Sequence, residues 1–207
     1  MKIGWDISHG EFTIEDQYHF SKLKEYAEKK GATIEEVKDF QDLEEFDVLV
    51  FNYPERFFKN YEVLYLKKWL EKGKRAIFTT YCNNMDSVAD IVNDAIQKIY
   101  PNLQINHDII VDPVHNFGRE FLVKAKYKGC VVVLPCSASI KASEHIVETF
   151  ESAKTYPTGH KKPVPAAKIK VGKGELIIIG TCVFWDNFSI DIEHNKLFAL
   201  EILNIYK

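Results

Sequence analysis

Lys2-Ile3-Gly4-Trp5-Asp6-Ile7-Ser8-His9-Gly10-Glu11 stands almost at the start of the chain. It reads as a buried strand that runs into a loop carrying Asp6, Ser8, His9 and Gly10, with a long amphipathic helix to follow. In an open α/β sheet the first strand commonly lies near the middle, and ligands sit beyond the carboxyl ends of the strands. Asp6 and His9 are therefore expected at that mouth.

Outward from this stretch the pattern alternates. Glu15 to Lys30 puts Tyr18, Phe20, Leu23, Tyr26 and Ala27 on one helical face. Thr13 with Asp16 three residues on resembles a capping box, and Gly31 closes the helix. Thr33–Val37 alternates as a half-exposed strand. Phe46–Phe51 is a continuous apolar run, the mark of a strand buried on both faces, and it ends in Asn52-Tyr53-Pro54. A helix over Tyr61–Lys72 is closed by Gly73. A strand over Arg75–Thr80 runs into Tyr81-Cys82-Asn83-Asn84, and a helix over about Asp86–Tyr100 stops at Pro101. Short strands and turns fill about 102–165, with Thr155–Val164 the expected mobile loop. Ala167–Val171, Gly-Lys-Gly and Glu175–Ile179 form a hairpin, and a last helix is expected over about Ile192–Tyr206.

This order predicts an α/β fold with three layers: a mainly parallel, flavodoxin-like sheet, helices on both faces, and an added antiparallel hairpin. One domain over 1–207 with a looser insertion is expected.

Composition narrows the function classes. With 46% hydrophobic and 28% charged residues the chain is an ordinary globular sequence. A net charge of -3 offers no basic field for nucleic acid or an anionic membrane. No apolar run reaches the roughly 18–20 residues that span a bilayer, and no secretory leader precedes the first strand, so a soluble, cytoplasmic protein is expected. Cys82, Cys130, Cys136 and Cys182 show no CxxC spacing and read as reduced thiols packed like small hydrophobes. Abundant Lys and Glu with little Gln point weakly to a thermophile.

Trp5-Asp-Ile-Ser-His-Gly10, Phe46-Asp-Val-Leu-Val50, Leu70-Glu-Lys-Gly73, Val171-Gly-Lys-Gly174 before Ile177-Ile-Ile-Gly180, and Asp186-Asn187 through Asn195 carry a resemblance. Together they resemble the class I glutamine amidotransferase-like superfamily, in its non-catalytic branch of ThuA-like proteins and the GIFT domain of intraflagellar-transport proteins. A working glutaminase of that superfamily has a Cys on a glycine-flanked strand-to-helix turn. Here the turn reads Thr79-Thr-Tyr-Cys-Asn-Asn-Met85, with Cys82 late and no glycine. The His-x-Glu pair that should follow the last main strand is missing, since His194 directly follows Glu193. A functional glutaminase is excluded.

The expected binding residues, at the predicted strand ends, are Asp6, His9, Gly10, Tyr53, Tyr81, Asn83, Trp185, Asp186 and Asn187. Aromatic side chains over a polar floor suit a small polar ligand, carbohydrate included, and equally seal the end of a core. One alternative is a hydrolase with Cys82 as nucleophile and His9 as its base, which requires a lowered thiol pKa. Another is a metal held by Asp6, His9 and Asp186, with Asp191 and Cys182 as further donors. Against these, Asp6 and Asp186 can simply accept N–H bonds within their own turns. No cofactor is implied. A protein partner, or a homodimer with the protein as a scaffold subunit, completes the range.

Overall fold

The computed structural model describes residues 1–10 and 12–206; Glu11 of the opening stretch lies outside them. In chain order the elements are β1 (Lys2–Asp6), α1 (Gln17–Glu28), β2 (Thr33–Val37), β3 (Val48–Asn52), α2 (Asn60–Glu71), β4 (Arg75–Thr79) and α3 (Val88–Ile99). The insertion then contributes β5 (Gln104–Ile105), β6 (Ile109–Val111), β7 (Leu122–Tyr127), β8 (Cys130–Pro135), β9 (Ile140–Lys141), β10 (Glu148–Thr149) and β11 (Lys154–Tyr156). Last come β12 (Ala166–Val171), β13 (Gly174–Ile179) and α4 (Asn195–Ile202).

The main sheet has the order β12-β13-β4-β3-β1-β2. Its pairs are parallel except the β12–β13 hairpin. Without β12 this is the flavodoxin order, whose topological switch point lies between β1 and β3. The expected fold class is the observed one.

Strand side chains alternate between the two faces. Ile3, Trp5, Val48, Val50, Ile77, Ile177 and Ile179 pack with Phe20, Leu23 and Ala27 of α1 and Phe198 and Ala199 of α4. Leu49, Phe51, Phe78, Leu176 and Ile178 pack with Leu66 and Trp69 of α2 and Ile91, Val92 and Ile96 of α3. Gly4 of β1 has no room for a side chain, because a Cβ there would lie 2.7 Å from both Leu49 and Val37.

Several local expectations change. Asp16, not Thr13, caps α1: its carboxylate accepts the N–H groups of Tyr18 and His19, while Thr13 Oγ1 accepts from Glu15 N. The last helix is shorter than expected, because the left-handed backbone of Glu193 (φ 48°) and Asn204 (φ 63°) interrupts it on both sides. In the hairpin, pairing continues to Val171 opposite Gly174. Only Gly172-Lys173 form the turn, with Gly172 at φ 59°, as a two-residue hairpin turn with a leading glycine requires.

Thr155–Val164 is not a free loop. Lys154–Tyr156 pair antiparallel with Ile109–Val111, Thr155 is buried, and His160 N donates to Thr155 Oγ1.

The rest of the insertion folds back on the sheet. Ala138 N donates to Gly180 O at 2.8 Å and Asn83 N to Asp108 O at 2.9 Å. A side chain at 180 would collide with Ala138 O. β7 and β8 bring Ala125, Tyr127, Val132 and Leu134 into the core on the α1/α4 face. The carboxyl ends of β4 and β13 are thereby overlaid by the insertion. No helix among the described residues is long and apolar enough to cross a membrane.

Candidate functional site

The loop after β1 is built around one buried carboxylate. Asp6 is fully buried; its Oδ1 accepts from Ser8 Oγ at 2.8 Å and its Oδ2 lies 2.6 Å from His9 Nδ1. A carboxylate only accepts, so Nδ1 is the donor in this contact. The other ring nitrogen, Nε2, faces Glu62 Oε2 at 3.4 Å. The same Glu62 oxygen accepts Lys59 N at 2.6 Å, which fixes the first turn of α2. The His9 ring stacks on Phe58, with centroids 3.9 Å apart, and meets Phe40 and Phe51 edge-on. His9 is thus held on both nitrogens and one face, with 4% of its surface exposed.

Beside this cluster lies a cleft of about 380 Å³. Three loops form it: Ser8-His9 after β1, Lys38–Gln41 after β2, and Arg56–Glu62 entering α2. Asp39 closes the second loop by accepting Gln41 N at 2.9 Å. Phe57 and Tyr61 are exposed at the rim. Arg56 makes no ion pair among the described residues. The cleft therefore offers aromatic faces next to guanidinium, ammonium, amide and carboxylate groups, at the sheet's switch point.

The other residues expected at the site are dispersed. Gly10 adopts φ 84° next to Glu55 and Arg56. Tyr53 is buried in a left-handed conformation (φ 65°), and its hydroxyl donates to Asp86 at 2.7 Å; burial and that carboxylate push its pKa up. Tyr81 sits beside Cys136, half-buried, with its pKa raised by burial and by that sulfur, and Asn83 is exposed.

Trp185 lies in the core. It stacks on Phe184 and donates Nε1 to Asn52 Oδ1 at 3.1 Å. Asp186 caps its own turn through Phe188 N and Ser189 N, and burial raises its pKa. Asn187 fastens the start of α1, accepting Lys22 N and donating to the carbonyls of Gln17 and Tyr18. Trp185, Asp186 and Asn187 do not line the cleft.

The two chemical alternatives lose their geometry. Cys82 and His9 stand in separate networks: Cys82 neighbours Cys136, and this neighbour together with burial raises its pKa, opposite to what a nucleophile needs. Among the described residues no three His, Cys, Asp or Glu side chains are placed to hold a metal ion, so Asp6, His9 and Asp186 do not form a donor set.

Glu62, Arg56 and Gln41 were not legible as site residues. Glu62 three residues after Lys59 is half of a capping box, but Lys is not a residue type that announces a cap.

No protein-family model matches the chain. It is 36% identical to an uncharacterised protein of Aquifex aeolicus (strain VF5), over 98% of this chain and 93% of that protein. Among solved structures, the mmIFT52 N-terminal domain superposes with a TM-score of 0.80 at 18% identity, covering 99% of this chain and 97% of the other. A β-galactosidase from the Antarctic haloarchaeon Halorubrum lacusprofundi superposes at 0.57 with 11% identity, over 98% of this chain and 30% of its own. A cytoplasmic protein of Salmonella typhimurium gives 0.53 at 11% identity, over 99% and 97%. At such identities these structures share the fold alone.

Proposed function

The chain belongs to the same family as the uncharacterised Aquifex aeolicus protein, and we propose that it is a binding domain without glutaminase chemistry. In this reading it takes a small polar ligand, a carbohydrate, in the cleft between the loops after β1, β2 and β3. Its place is the non-catalytic branch of the amidotransferase-like superfamily. Supporting that placement, Cys82 is committed to Cys136 rather than to a base, and both nitrogens of His9 face carboxylates.

The observation that carries the binding reading is the composition of the 380 Å³ cleft. Tyr61 and Phe57 provide flat apolar area for the C–H face of a sugar ring, and Gln41, Arg56 and Glu62 provide donors and acceptors for its hydroxyls. A part of the β-galactosidase chain has the same fold, which makes galactosides the first probes to use. A thermal-shift titration of the whole protein with methyl β-galactoside, methyl α-mannoside and cellobiose tests the proposal. A saturable rise in Tm that is lost in Tyr61→Ala supports it, and no rise with any of the three sugars opposes it.

A protein partner is the second reading, and one surface favours it. Phe12, Tyr18 and Phe188 are 46%, 68% and 58% exposed, and the rings of Tyr18 and Phe188 lie 5.2 Å apart. Contiguous exposed aromatics mark interaction sites. Light scattering against concentration, compared between the wild type and Tyr18→Glu, tests a homodimer at this surface.

A further inference from the structure

Two cysteines that the cleft does not use meet where the insertion folds back on the sheet. Cys82 follows β4 and Cys136 follows β8; the Cys82 N–H donates to the Cys136 carbonyl at 3.1 Å. With the N–H of one residue bonded to the carbonyl of the other, standard backbone dimensions keep their Cα atoms within about 7 Å, the outer limit at which a disulfide can form. All four cysteines are free thiols.

The two sulfurs are unequal. Cys82 is 4% exposed, whereas Cys136 is partly open to solvent. Cys136 also holds a left-handed backbone (φ 48°), which a non-glycine residue keeps only where its surroundings impose it. The Cys82 thiol and the Tyr81 hydroxyl neighbour the Cys136 sulfur, and against the opposing effect of burial they lower the pKa of the Cys136 thiol. Thiolate character, access and an adjacent second thiol are what a sensing cysteine requires.

We propose that Cys136 and Cys82 are a peroxide-responsive dithiol pair, with Cys136 the attacking and Cys82 the resolving residue. The Cys136 thiolate attacks one oxygen of a hydroperoxide, the O–O bond breaks, and the other oxygen leaves and takes a proton. This yields a sulfenic acid on Cys136. Once Cys136 is oxidised, the neighbour that most raised the Cys82 pKa is gone; the Cys82 sulfur gives up its proton and displaces that hydroxyl, forming the Cys82–Cys136 disulfide and water. Two thiols lose two electrons, and hydrogen peroxide is reduced to two waters. A dithiol reductant reverses the change. The bond ties the end of β4 to the insertion.

The test treats the fully reduced, intact protein with one equivalent of hydrogen peroxide at pH 7, blocks remaining thiols with iodoacetamide, and reads intact mass and linked peptides. The expected result is loss of two hydrogens, one peptide pair joining Cys82 to Cys136, and reversal by dithiothreitol. Cys136→Ser should slow peroxide consumption about tenfold or more, as expected when the low-pKa thiolate is removed. Cys82→Ser should stop at a sulfenic acid on Cys136 that dimedone traps. The wild-type experiment decides even if a variant does not fold. A link through Cys130 or Cys182, or a folded wild type whose mass peroxide leaves unchanged, would overturn the proposal.

Discussion

His9 Nδ1 donates to Asp6 Oδ2 across 2.6 Å where the first strand leaves the sheet. With Nε2 turned to Glu62 and the ring stacked on Phe58, the histidine joins the loop after β1 to the start of α2. It shapes one wall of the cleft.

Removing the carboxylate should unlock that wall. Asp6→Ala removes the buried carboxylate that accepts from both Ser8 Oγ and His9 Nδ1, and such losses cost about 2–4 kcal/mol. Urea denaturation should show a fall of this size, and a loss below about 1 kcal/mol would mean that the buried contacts contribute little.

Asn195 should be nearly irreplaceable for stability. Buried at the start of α4, it accepts Val133 N and donates to the carbonyls of Val133, Phe184 and Ser189. Asn195→Ala abandons these partners at a cost of about 2–3 kcal/mol. Asn195→Asp aims an acceptor at carbonyl oxygens and should cost more, so the order of the two variants in thermal denaturation is the check.

Glu175 should contribute to acid unfolding. Burial works against its charge, but hydrogen bonds from Lys168 and Arg75 outweigh it, and its pKa falls below the ordinary 4.5. A depressed carboxylate stabilises the fold above its unfolded pKa and loses that contribution as pH falls through the lower folded value. The wild type should therefore exceed Glu175→Gln in stability at pH 7 and converge with it below pH 4.5. A constant gap across that range would contradict the assignment.

The parallel sheet was legible from its central strand, an unbroken apolar run: Val48–Asn52 is buried at every position, as in a strand covered on both faces. The position of Asp6 and His9 followed from that topology. What was not legible is which strand ends the insertion covers. Cys136, Ala138 and Asp108 come from the weakly patterned insertion, and their main-chain bonds to Cys82, Gly180 and Asn83 draw chain over the ends of β4 and β13. Trp185 and Asn187 read as site residues for their chemistry, yet one fills the core and the other fastens α1. A side chain's type reveals what it can bond, and only the fold decides with whom.

A carbohydrate bound in the cleft after β1, β2 and β3 would perturb the backbone amides of the loops that form it. The most direct measurement is amide chemical-shift mapping of the ¹⁵N-labelled protein with methyl β-galactoside up to about 10 mM, enough to saturate a site with Kd of about 1 mM. Saturable shifts are expected at Ser8, Gly10, Gln41, Arg56 and Tyr61 and their neighbours, and nowhere else. Shifts that map instead to Tyr18 and Phe188, or amides around the cleft that do not move at all, would contradict carbohydrate binding there.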